Sequence, residues 1–305
     1  MKLLLSLVLL GALSGPTACR RSVARKQPTG TTSPVATAVT TWPPLIQGPF
    51  VLVNNLPVVQ ATVDGKTGNF ILDTGAEATL LNQRYFSGVP TATPVGTGAT
   101  GAFQQTSSYR INRFVWQGLI VQGVDLTAMD LNHLGAAPLL GVLGADLLAH
   151  YAVTVDYATR TVVLRAAGGL PPLPPRLSLP FDRRGHLPVI QVSIAHHTYN
   201  LAIDSGAGVN MLSETLLAGL KNELTTPFST SLGGAATQKQ TVNGGTLKQV
   251  LLAPQWPLVN MATVFTTIGP LANSQPTPVD GILGYEFLRQ YQVTINYPKG
   301  VIELR

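Results

Sequence analysis

The sequence predicts an all-β protein made of two duplicated, barrel-like β-lobes, each with one short helix. Three observations predict it. Charged side chains make up 11% of the 305 residues while 45% are hydrophobic, a balance that suits many short strands better than long charged helices. Alternating or β-branched runs such as "VVQATVDG", "NFILDTG", "FVWQGLIVQG" and "TVVLR" carry the strand period of two. Finally, the chain repeats itself. "YAVTVDYATRTVVLR", Tyr151 to Arg165, aligns with "YQVTINYPKGVIELR", Tyr291 to Arg305, and before each stands a Gly-rich partner, "GVLGADLLAHY" from Gly141 and "GILGYEFLRQY" from Gly281. An internal duplication is the simplest account.

The N-terminus reads as a secretory signal over residues 1–19. Lys2 precedes an apolar run, Leu3 to Leu13, and small residues lead to Cys19. The run is too short to span a bilayer as a mature helix. Cys19 is the only cysteine, so neither an intramolecular disulfide nor a Cys-based metal cluster is available. Residues 20–44, rich in Thr, Pro, Ser and Ala, have the composition of a flexible tether. A first lobe is expected over 45–165, a Pro-rich linker over 166–180, and a second lobe over 181–305. The net charge of +6 is dispersed apart from Arg20, Arg21, Arg25, Lys26 and the Arg183-Arg184 pair. No basic stripe with interleaved aromatics is present, which excludes nucleic acid as the expected partner.

The chemistry concentrates in two stretches. "NFILDTGAEATLLN", Asn69 to Asn82, and "NLAIDSGAGVNMLSE", Asn200 to Glu214, each run an apolar strand into Asp, a hydroxyl residue and Gly. Glycine admits a sharp turn, and the hydroxyl can brace it locally. One carboxylate held at the tip of a buried strand would be costly to charge. Two brought together across a pseudo-twofold axis share a proton, because close like charges raise one pKa and leave the other group ionised. Such a pair can activate a water and protonate a carbonyl oxygen.

These residues resemble the aspartic proteases of the pepsin and retropepsin type, in a bacterial form carrying two tandem copies. The resemblance covers most of Leu45 to Arg305. It rests on Asp73-Thr74-Gly75-Ala76 and Asp204-Ser205-Gly206-Ala207, each followed by a hydrophobic-hydrophobic-Gly element, Val142-Leu143-Gly144 and Ile282-Leu283-Gly284. The resemblance implies the bilobal aspartic-protease fold and an endopeptidase whose dyad is Asp73 and Asp204. Thr74 and Ser205 would cross-brace the two loops, Gly75 and Gly206 would let substrate backbone approach, and Gly144 and Gly284 would lie in the supporting elements. Mobile flaps are implied at "VGTGATGAF", with Gly96, Gly98 and Gly101, and at "SLGGAATQ", with Gly233 and Gly234. The partner is polypeptide in extended conformation, and no metal or other cofactor is implied.

The stretch before Cys19 also resembles a bacterial lipoprotein signal, although Pro16 stands where an aliphatic residue is usual. An exported, lipid-anchored envelope protein is therefore expected, with ordinary cleavage and secretion as the alternative. Further departures concern the lobes. Glu77 follows the first motif where Gly208 follows the second, and Ala145 and Tyr285 occupy places where viral relatives often carry Arg. No propeptide with a blocking Lys is evident. His196-His197 reads as a surface pair, and Asp125, Asp130, Asp146, Asp156 and Asp280 as caps or turn residues. No His-Glu-x-x-His, Gly-x-Ser-x-Gly or phosphate loop occurs. The rival readings are a catalytically silent peptide-binding module of the same fold and, against the expected monomer, a homodimer that pairs each half with its equivalent.

Overall fold

The computed structural model describes residues 39–90, 105–134, 138–168, 174–182, 185–234, 239–268 and 276–305, together with the backbone of short strands at 3–5, 9–10, 97–98 and 101–102. Cys19, the tether as far as residue 38, Gly96 and the Arg183-Arg184 pair lie outside the described residues.

The two copies build the same core. In the first, the strand Lys66–Leu72 leads into Asp73, and Leu139–Leu143 runs parallel to it while pairing antiparallel with Leu80–Asn82 beyond the aspartate. In the second, His197–Ile203 leads into Asp204, with Gly281–Leu283 parallel to it and antiparallel to Asn210–Ser213. Sandwiched strands of this kind are covered on both faces, which is why they read as unbroken apolar runs rather than alternating ones. In the second lobe Gln240–Ala253 pairs with Val189–Ile194 and Trp256–Thr266, and Trp256–Thr266 pairs in turn with Asn210–Ser213. The strand circuit closes, and Leu224–Gly233 branches off it as an outer strand.

Packing repeats with the sequence. Pro49 to Asn82 aligns without a gap on Pro180 to Ser213 at an offset of 131, and Gly141 to Arg165 aligns on Gly281 to Arg305 at 140. One apolar cluster contains Leu56, Val58, Ile71, Ala76, Leu80, Leu139 and Val142. Its counterpart contains Leu187, Val189, Ala202, Ala207, Met211, Val279 and Ile282, which are the same seven positions of the second copy.

A six-stranded sheet joins the lobes. Its central pair is Tyr151–Asp156 against Gln292–Asn296, flanked by Thr161–Ala166 and Leu45–Pro49 on one side and by Val301–Leu304 and Leu177–Pro180 on the other. Thr154 pairs with Thr294, its own copy, and their hydroxyls lie 2.8 Å apart. The pseudo-twofold axis passes through this contact. The end of the expected linker is thus an edge strand, where Pro180 removes no ladder bond that a central strand would need.

Short helices follow each Gly element, α1 at Ala145–Leu148 and α3 at Tyr285–Leu288, and the second lobe has a further one-turn helix between them, α2 at Leu217–Leu220. Stacking of 3-10 turns on both sides of α2 accounts for the helical character of "SETLLAGL". His196 occupies a hairpin turn with φ of 67° and His197 opens the next strand, both exposed. The two rings therefore leave the backbone from a turn rather than from opposite faces of one strand.

Candidate active site

Asp73 and Asp204 meet at the lobe junction, and neither exposes any surface. Each is aimed by its own loop. Asp73 Oδ1 accepts from the amides of Gly75 at 2.8 Å and Ala76 at 2.9 Å, and Asp204 Oδ1 accepts from the amide of Gly206 at 2.7 Å. The opposite oxygens, Asp73 Oδ2 and Asp204 Oδ2, receive no donor from the described residues. The two carboxyls lie within hydrogen-bond reach of each other. Two bare, facing carboxylate oxygens repel, and a shared proton satisfies both. Burial, then the charge of Asp204, pushes Asp73 well above the usual carboxylate range. Burial likewise raises Asp204, to about 7.

The hydroxyl residues tie the loops together. Thr74 N–H donates to Ser205 Oγ at 3.0 Å, and Ser205 N–H donates to Thr74 Oγ1 at 2.9 Å. Each hydroxyl then donates across to the other lobe, Ser205 to the carbonyl of Leu72 at 2.8 Å and Thr74 to that of Ile203 at 3.5 Å. The longer bond is the weaker. Ser205→Ala is therefore expected to destabilise the protein more than Thr74→Val, by about 1–3 kcal/mol in buried donors left unsatisfied, read from paired denaturant titrations.

The glycines are required by close approach. A Cβ on Gly75 would stand 2.5 Å from the Asp204 carboxyl carbon, and one on Gly206 would stand 2.3 Å from that of Asp73. Gly206→Ala is expected to force the carboxyls apart and to abolish any chemistry that needs both, while the lobes, whose cores it does not touch, stay folded by circular dichroism. Gly144 and Gly284 pack equally tightly, with a Cβ meeting Ala78 backbone carbon at 2.4 Å and Ala207 carbonyl oxygen at 2.4 Å. Their elements hold the loops directly. Asp73 N–H donates to Leu143 O and Asp204 N–H to Leu283 O, and Ala145 and Tyr285 amides donate to the carbonyls of Ala76 and Ala207.

Five supporting residues escaped the motif reading. Thr79 Oγ1 accepts from Gly144 N–H at 3.2 Å, and its copy Asn210 accepts from Gly284 N–H through Oδ1 at 2.9 Å. Thr79 also donates to Asp146 Oδ1, from N–H at 2.9 Å and from its hydroxyl at 2.7 Å, so Asp146 braces the Asp73 loop rather than merely capping α1. Tyr157 and Tyr297, copies of one another, lie beneath the dyad, and Tyr297 donates to Thr74 O at 3.4 Å. Burial first, and the charges of both aspartates after it, raise Tyr297 far above the usual phenol range. Their signal was present in the repeat, since both tyrosines sit in its best-matched stretch.

Residues 59–147 match the family model for aspartyl protease. The match supports an aspartic protease family for the chain. It runs from the strands around Asp73 into α1 and does not reach the second copy. No curated protein matches the chain.

The two stretches read as flaps contain paired strands. Thr97–Gly98 pairs antiparallel with Gly101–Ala102, so Gly98 and Gly101 face each other. Leu224–Gly233 pairs with Gln240–Ala253, and Gly233 ends the outgoing strand. Gly234 makes a contact between lobes, its carbonyl lying 2.9 Å from His133 Nε2 of the first lobe. The backbone of Leu3–Leu5 runs parallel to Ser231–Gly233, and that of Leu9–Leu10 antiparallel to Thr97–Gly98.

Proposed function

We propose that the protein is an aspartic endopeptidase whose single dyad is Asp73 and Asp204. The observation that carries this reading is the pair of carboxyl oxygens, Asp73 Oδ2 and Asp204 Oδ2, left without a donor among the described residues while the Oδ1 atoms and the two hydroxyls are tied to loop amides. A dyad holding one proton positions a water between those oxygens. The ionised carboxylate takes a proton from the water as its oxygen attacks the peptide carbonyl carbon, and the protonated carboxyl delivers its proton to the carbonyl oxygen. The resulting diol collapses when the amide nitrogen is protonated and the C–N bond breaks, leaving a carboxylic acid, an amine and a dyad that again carries one proton.

Substrate enters as an extended strand. Support comes from the flap edges, which already take up extended backbone at Ser231–Gly233 and at Thr97–Gly98. Because both carboxyls are fully covered, a peptide reaches them only after the chain around the site moves aside. Incubation with an unfolded protein mixture from pH 4 to pH 8 is expected to yield internal cleavages, blocked by a pepstatin-like transition-state mimic. Binding of the mimic with no cleavage at any pH would instead establish the silent peptide-binding module.

The leader makes this an exported enzyme of the cell envelope, tethered through lipid on Cys19. Fatty-acid labelling of the full-length protein, lost in Cys19→Ser, is the expected result, and an unlabelled wild type would leave a secreted form.

A further inference from the structure

Two carbonyls at matching places of the repeat are held by different donors. Glu77 and Gly208 each stand four residues beyond an aspartate of the dyad. The Glu77 carbonyl accepts from its own lobe, from the Asp146 amide in the first turn of α1, at 3.1 Å. The Gly208 carbonyl is reached from the opposite lobe, by Asn55 Nδ2 at 3.0 Å. Asn55 stands at the tip of the hairpin that joins Val51–Val53 to Leu56–Val63. Asn54 and Asn55 take left-handed backbone there, with φ of 52° and 68°, as a two-residue hairpin turn requires and as asparagine tolerates. The same hairpin is fixed to the Asp73 side. Leu56, next to Asn55, is buried in one cluster with Ile71 and with Ala76 of the Asp73 loop, and Val53 packs against that cluster.

We propose that Asn55 is a positioning residue for Asp204, holding from the first lobe the loop that aims the second lobe's carboxyl. This role presupposes the Asp73–Asp204 dyad and adds to it a residue outside both motifs. Gly208 lies two residues past Gly206, whose amide donates to Asp204 Oδ1 at 2.7 Å. Between them, the Ala207 carbonyl accepts from the Tyr285 amide at the start of α3. With Ala207 held by α3 and Gly208 by Asn55, the Gly206 amide has little freedom to swing away from the carboxyl. The tie matters more on this side, because Asp204 Oδ1 accepts one amide of its own loop where Asp73 Oδ1 accepts two. The exchange between Thr74 and Ser205 joins the loops at their hydroxyl residues. Asn55 joins the core that carries Asp73 to the far end of the loop that carries Asp204.

The test is a carbon-13 carboxyl titration of the full-length protein, with the Asp204 signal identified by its loss in Asp204→Asn. Asn55→Gly keeps the left-handed turn and removes the amide, and Asn55→Asp keeps the shape and removes the donor. An amide donated to a carboxylate favours its charged form, so loosening the Gly206 bond raises the pH at which Asp204 titrates. Both variants are expected to move that midpoint upward by about half a pH unit or more. Both should also lower kcat about fivefold or more while KM stays within about twofold. The other titrating groups that act on Asp204 or feel its charge, Asp73, Tyr157 and Tyr297, are left in place. Asn54→Gly, at the exposed neighbour in the same turn, should change neither quantity. A lower melting temperature in Asn55→Gly with titration and kcat as in the wild type, or the same effects from Asn54→Gly, would overturn the proposal. A wild type that cleaves no peptide would defeat the endopeptidase reading alone, because the titration is read without turnover.

Discussion

Asp73→Asn and Asp204→Asn are each expected to lower kcat/KM for peptide hydrolysis by about three orders of magnitude or more. The size follows from the division of labour. In the proposed mechanism each carboxyl serves as base in one proton transfer and as acid in the other, so an amide in either place would remove both roles at once. Both carboxyls come from a single chain across the Thr154–Thr294 axis, so one substitution empties half of the only dyad. The asparagine keeps the local fold, because its side-chain oxygen can still accept the amides of Gly75 and Ala76, or of Gly206, that the aspartate accepts. Loss of activity with unchanged circular dichroism is therefore the expected pairing of results. Undiminished turnover in either variant would sink the single-dyad mechanism. The double variant should be no worse than the singles, since residues acting as a unit are not additive.

The second large effect is on stability against pH. Burial raises Asp204 from the usual carboxylate value to about 7, and Asp73 is raised as well. Between about pH 4, the range of an unfolded carboxyl, and pH 7, the folded state therefore holds protons that the unfolded chain releases. With more protons bound in the native state, stability falls as pH rises through that window and is greatest below it. Asp204→Asn removes the titrating group while keeping its shape. The variant is expected to exceed the wild type in stability by a few kcal/mol at pH 8, with the two curves converging near pH 4. Urea titrations at intervals across that range measure the difference. Parallel curves at all pH values would show that the dyad carries no strained charge. A protein that gives up stability to hold two facing carboxyls follows the usual trade between stability and activity.

Much of this was legible in the sequence because it is local or repeated. "FILDTG" and "LAIDSG" carry strand, turn and carboxylate within six residues, and the glycines of "VLG" and "ILG" mark where one backbone presses on another. The repeat marks Thr154 and Thr294 as equivalent positions, and in the six-stranded sheet the two pair with each other. Less legible was what each copy does differently with the same position. Thr79 and Asn210 share one task, accepting from a glycine amide, with a hydroxyl in one lobe and an amide oxygen in the other. No motif links those two residue types. Asp146 reads as a helix cap until Thr79 is seen donating to it from 67 positions away in the chain. The linker reading of residues 166–180 rested on proline content, which is equally at home on the edge strand Leu177–Pro180.

The sequence by itself determined the all-β lobes, their duplication and the two Asp-hydroxyl-Gly turns, because period, turn chemistry and repetition act over neighbouring residues. Only the tertiary structure decided that Asp73 and Asp204 face each other with two oxygens bare, that Thr74 and Ser205 exchange hydrogen bonds, and that Asn55 reaches Gly208 in the other lobe. Those facts depend on distances between residues about 130 to 220 positions apart, and such distances exist only after both copies have closed around one axis.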